Sequence, residues 1–175
     1  MFCEGEYVMY SGEGLCRIEK IGIPDFQSEK RNYYFLQKAD DHSRIYVLTD
    51  TTLPMRKPLT AAEANQFLES LSMVRIDIPR KPDNKKWLPV IKDTVRPQTA
   101  EAMAKTIIMI RLLHPDGKIP PEEKTILTRT EKRLFDEIAF ALHVSETDAE
   151  SRVKSALKTL TIQESLQSND EEKEP

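Results

Sequence analysis

A chain of 175 residues with 39% hydrophobic content can bury one large or two small cores. No apolar run approaches the roughly twenty residues of a membrane helix, and the opening residues lack the apolar core of a secretion signal, so a spanning protein is excluded and the cytoplasm is the expected location. The formal charge of −3 is unevenly spread, and the two cysteines, Cys3 and Cys16, have neither metal-ligand spacing nor a nearby histidine, which points to buried or free thiols rather than a disulfide or zinc site.

The first elements are strands. Tyr7 and Met9 fall on one side of an extended chain with Val8 and Tyr10 on the other, and Leu15, Arg17 and Glu19 alternate with Cys16, Ile18 and Lys20. Between the two runs Ser11, Gly12, Glu13 and Gly14 tolerate positive φ and allow a tight reversal, which makes a β-hairpin. Asn32, Tyr33, Tyr34, Phe35 and Leu36 form an aromatic run. Arg44, Ile45, Tyr46, Val47 and Leu48 form a β-branched and aromatic one, with Asp40, Asp41, His42 and Ser43 as the turn. Four strands without an intervening helical pattern predict a small antiparallel β-barrel of the SH3 or Tudor kind over residues 1–58.

Helices follow. Thr60 and Glu63 fit a capping box, and Ala64, Phe67, Leu68 and Leu71 recur at helical spacing, predicting a helix over 61–71. Pro79, Pro82, Pro89 and Pro97 forbid one continuous helix in the next stretch, which reads as a connector and a short helix near 85–95. Thr99 can cap a helix carrying Met103, Ile107, Ile110 and Leu113 and stopped by Pro115 and Gly117. Pro120 and Pro121 can open a long one through Leu142, and Ser145 can cap another to about Leu160. Ile126, Leu127, Leu134, Ile138 and Leu142 on the long helix and Val153, Ala156, Leu157 and Leu160 on the last one are stripes for a helical bundle over 60–163. The fold class is therefore α+β, an N-terminal β-barrel followed by an all-α bundle. From Glu164 to Pro175 five acidic residues face one lysine, the composition of a disordered tail.

Between Arg75 and Arg96, seven Lys or Arg face only Asp77, Asp83 and Asp93, and in their midst stands Trp87, the single tryptophan, directly after Lys85 and Lys86. A lone tryptophan serves either as a core residue or, inside a basic rim that attracts phosphate, as an aromatic wedge for a groove or base step.

The order of these parts resembles one family. The strand pair GEYVMYSGEGLCRIEKI, the aromatic strand NYYFLQ, the strand RIYVL, the MRKPL exit, the basic tryptophan segment and the helix EEKTILTRTEKRLFDEIAFAL are together similar to the CarD family of bacterial transcription regulators, over about Phe2 to Leu160. The resemblance implies a β-module, shared with transcription-repair coupling factors, that binds the β subunit of RNA polymerase. It also implies a helical domain that contacts promoter DNA near the upstream edge of the melted bubble. By position Trp87 corresponds to the family's minor-groove wedge, with Lys85, Lys86, Lys92 and Arg96 left to meet phosphate. The strand Arg44, Ile45, Tyr46, Val47 and Leu48 corresponds to the polymerase-binding edge, where backbone groups can pair with a partner's sheet. Two departures stand out: Leu88, Pro89, Val90 and Ile91 replace the arginines the family often has after its tryptophan, and Leu48 and Thr49 replace a frequent proline.

Residues 137–160 also resemble the helix-turn-helix of sigma factors, a DNA-reading alternative that would act without polymerase. Its groove-facing helix opens with Glu146, Asp148 and Glu150, which phosphates repel, and its tight turn has His143 where glycine is usual. Catalysis is not expected: His42, His114 and His143 are scattered, and no nucleophile elbow, phosphate loop or metal-binding helix occurs. No cofactor is implied.

Overall fold

The computed structural model describes residues 2–26, 30–71 and 87–157. Lys85, Lys86, most of the proline-rich connector, the end of the last helix toward Leu160 and the acidic residues 164–175 lie outside the described residues. The chain divides into two units, Met1–Leu59 and Thr60–Pro175. All five tyrosines belong to the first and the one tryptophan to the second.

The first unit is an antiparallel half-barrel sheet of five strands, β1 (Tyr7–Tyr10), β2 (Gly14–Gly22), β3 (Tyr33–Lys38), β4 (Arg44–Leu48) and β5 (Met55–Arg56), in the order β4-β3-β2-β1-β5. Its concave face gathers Val8, Cys16, Ile18, Tyr34, Leu36 and Val47, with Phe2, Tyr10, Ile21, Ile45 and Met55 packed around them. The period-2 alternation of each strand delivers these residues to one side. Strand β2 breaks its own alternation. Ile18 pairs with Leu36 and Lys20 with Phe35, so Glu19 is an extra residue, a β-bulge. Before the bulge the even positions Cys16 and Ile18 face the core; after it the odd position Ile21 does, and the strand runs on to Gly22.

The turns follow their residue chemistry. Gly12 and Gly14 hold φ of 88° and 84° in the β1–β2 reversal, a conformation that costs glycine nothing. In the β3–β4 turn the Asp41 carboxylate accepts the Ser43 backbone N–H at 2.9 Å. Hydrogen bonds from the Ser43 side chain and backbone hold the Asp41 carboxyl down to about 2. The MRKPL exit forms β5, an element the sequence pattern did not reveal, and Met9 pairs with Arg56 there.

Cys16 is fully buried in the sheet core, while Cys3 is exposed. Burial first, and the nearby Glu13 charge second, push the Cys16 thiol up to about 12, so no thiolate is available near neutrality. A disulfide-exchange reagent at mildly alkaline pH is therefore expected to label one thiol quickly in the native chain, and Cys3→Ser should abolish that phase. Rapid labelling of Cys16 before unfolding would contradict the buried assignment.

The second unit comprises α1 (Ala61–Leu71), α2 (described from Trp87 to Val95), α3 (Ala100–Leu113), α4 (Pro121–Leu142) and α5 (146–157). The predicted caps are present. The Thr60 N–H donates to Glu63 Oε2 at 2.8 Å and the Glu63 N–H to Thr60 Oγ1 at 3.3 Å, a reciprocal capping box. Thr99 Oγ1 accepts from the Ala102 N–H at 3.2 Å, and Ser145 Oγ from the Asp148 N–H at 3.2 Å. Helix α3 is the centre of the unit: Met103, Ala104, Thr106, Ile107, Ile108, Met109 and Ile110 are all buried, and α2 and α4 pack on it. Helix α4 contributes Leu127, Leu134, Ile138 and Ala141, and α5 contributes Ala149, Val153 and Leu157. His143 closes α4 in the left-handed conformation, φ 53° and ψ 43°, donating its N–H back to Phe140 and Ala139.

Among the described residues no helix is long and apolar enough to cross a membrane. No group of three metal-ligating side chains is assembled among them either.

Candidate functional site

Strand β4 ends one side of the sheet. Its hydrogen-bond polarity follows from the bonds just beyond it: the Lys38 N–H donates to the Ser43 carbonyl at 3.0 Å and the Thr49 N–H to the Asn32 carbonyl at 3.1 Å. In an antiparallel ladder bonded pairs alternate, so with Tyr34 opposite Val47 and Leu36 opposite Ile45, residues Ile45 and Val47 spend their backbone groups on β3. Arg44, Tyr46 and Leu48 turn theirs toward the open edge. The Leu48 carbonyl there accepts from the Thr51 N–H at 3.0 Å, which leaves the N–H and C=O of Arg44 and Tyr46 and the Leu48 N–H facing the open edge.

The side chains divide the same way. Val47 is buried and Ile45 packs against the core, so those two of the five expected contact residues serve the fold. Arg44, Tyr46 and Leu48 lie on the convex face. Arg44 Nε donates to Glu19 Oε2 at 3.0 Å, so the bulged residue neutralises the edge arginine. Tyr46 is 39% exposed and its ring meets Phe35 edge to face, centroids 4.9 Å apart. Just past the strand, Thr49 donates both its N–H and its hydroxyl to the Asn32 carbonyl, a rung that a proline at 49 could not supply.

The helical unit holds the other candidate residues. Trp87, the first described residue of α2, is half-buried. Lys92 and Arg96 are solvent-exposed but each carries a carboxylate partner: Lys92 Nζ lies 2.7 Å from Glu122 on α4, and Arg96 lies 3.1 Å from Asp93. Exposed ion pairs of this kind are worth about 0–1 kcal/mol, so a phosphate can replace the carboxylate. Two further cations on α4, Lys124 and Arg129, are exposed and have no ion-pair partner among the described residues. Sequence reading passed over them because they sit inside a mixed-charge helix; the signal that separates them is the commitment of Glu122, Glu123 and Glu131 to Lys92, His114 and Arg111.

Helix α5 has a different balance. Its described cations Arg152 and Lys154 pair with Asp148 and Glu150 one turn back on the same helix, which among the described residues leaves no net positive face for a duplex.

Compared with known families, residues 2–57 match the model described as CarD-like/TRCF RID domain. No curated protein matches the chain.

Proposed function

We propose, from the match of residues 2–57 to the CarD-like/TRCF RID domain, an RNA polymerase-interacting domain, that the chain is a non-enzymatic, cytoplasmic transcription regulator that docks on the β subunit of RNA polymerase through β4 and tunes open-promoter stability through its helical unit. The open backbone edge of Arg44 and Tyr46 is the observation that carries the reading, since it offers strand addition beside the exposed Tyr46 ring. In the second unit, Trp87 is the wedge and Lys92, Arg96, Lys124 and Arg129 are the phosphate-facing cations, with Lys85 and Lys86 beside the tryptophan in sequence. Such a contact is weak alone and gains its effect from tethering to polymerase. The charge balance of α5 favours this reading over an operator-reading helix-turn-helix.

The lifetime of a competitor-challenged promoter complex, with and without the full chain, tests the proposal. The wild-type chain is expected to change that lifetime only when it is retained by polymerase. Trp87→Ala should shorten the effect by about tenfold, the scale of a lost base-step wedge, while leaving polymerase retention and the helical circular dichroism unchanged. An unaltered lifetime with Trp87→Ala would make Trp87 a packing residue, and a defined duplex bound without polymerase would replace the proposal with the helix-turn-helix reading.

A further inference from the structure

The β2–β3 loop adds a residue to the docking face that no strand pattern announces. Phe26 is 65% exposed, the most exposed large apolar side chain among the described residues, yet its ring stands edge-on to Tyr46, centroids 4.9 Å apart at 84°. Tyr46 in turn meets Phe35 at 71°, and the Lys20 ammonium lies 5.6 Å from the Phe35 centroid. Lys20, Phe35 and Tyr46 are cross-strand partners at one register level, so the row crosses β2, β3 and β4 and ends at the open edge, where Phe26 joins it from a loop.

A strand added to β4 must place one residue in register with Tyr46, because Tyr46 supplies both of its backbone groups to that edge. Cross-strand neighbours stand about 4.5–5.5 Å apart on the same face, so this side chain lands against the Tyr46 ring and within reach of Phe26. The surface it meets is apolar. Along the strand, Arg44 is already matched by Glu19, so the edge makes no strong demand for a charged partner residue. We propose that Phe26 and Tyr46 form a clamp for one aliphatic or aromatic side chain on an extended polymerase segment, and that Phe26 is the residue that selects it. The clamp rests on the reading of β4 as the polymerase dock.

Because Phe26 is mounted outside the sheet core, its replacement should leave the fold intact, checked by an unchanged thermal transition. In titrations of purified RNA polymerase with the full chain, Phe26→Ala is expected to weaken binding about tenfold, whereas Phe26→Leu, which restores apolar surface, should stay within about threefold of wild type. A chain carrying p-benzoylphenylalanine at position 26 should crosslink, in the purified complex, to an aliphatic or aromatic residue of an extended polymerase segment. Wild-type affinity for Phe26→Ala together with weakened binding by Arg44→Pro would overturn the clamp and leave the dock standing. Wild-type affinity for both variants would overturn the dock itself, and a crosslink to a charged or helical polymerase residue would overturn the apolar selection.

Discussion

Replacing Leu36 with alanine is expected to cost the N-terminal unit about 3 kcal/mol, the middle of the range for a fully buried leucine. Leu36 has no exposed surface and lies among Val8, Cys16, Ile18, Tyr34 and Val47, paired with Ile18 on one side and Ile45 on the other. Strand pairing on both flanks restrains the backbone, so the vacated space cannot collapse and both the transfer and the cavity contributions apply. A unit of this size has little stability in reserve, on the order of 3–9 kcal/mol at typical values per residue. Urea titration with amide exchange read on β2 and β3 should show the loss, and polymerase retention should fall with the folded population. Leu53→Ala, in a residue 52% exposed, is the control and should stay within about 0.5 kcal/mol of wild type. A loss below about 1 kcal/mol for Leu36→Ala would mean that this cluster is not what holds the sheet.

Arg44→Pro is expected to weaken polymerase binding by more than tenfold, whereas Arg44→Ala should change it by less than about threefold. The contrast isolates the backbone. Both substitutions remove the exposed ion pair with Glu19, but only proline removes an N–H, and at this position the N–H points away from β3. Proline is tolerated on an edge strand where no internal ladder bond is lost, so the sheet survives while the added strand loses a donor and leaves a buried carbonyl unmatched, at about 1–3 kcal/mol. Equal effects of the two variants, read by titration with purified polymerase, would assign the contact to the guanidinium instead of the edge.

Local chemistry made much of the fold legible. The caps at Thr60, Thr99 and Ser145 could be read because capping involves residues three apart, and Pro120–Pro121 marks the start of α4 by the same local logic. The bulge at Glu19 could not be read, since it exists only against β3. Strand β5 is two residues long, too short for any alternation to show, and is set by pairing with β1. The edge strand was found from its β-branched and aromatic run, but which of its backbone groups face outward depends on a register fixed by residues outside it. Likewise Lys92 looked free in sequence, and its partner Glu122 lies thirty residues away. Phe26 sits in a loop, where no period marks it.

The sorting of aromatic residues between the two units has an optical consequence. Tyr7, Tyr10, Tyr33, Tyr34 and Tyr46 give the first unit its whole tyrosine absorbance and near-ultraviolet dichroism, while Trp87 alone gives the second its indole emission. Excitation at the red edge of the band selects the indole, and tyrosine dichroism reports the sheet. The unlabelled chain thus carries a separate colour for each half, and Tyr46 puts one of the five tyrosine chromophores on the open edge of β4 proposed to dock polymerase.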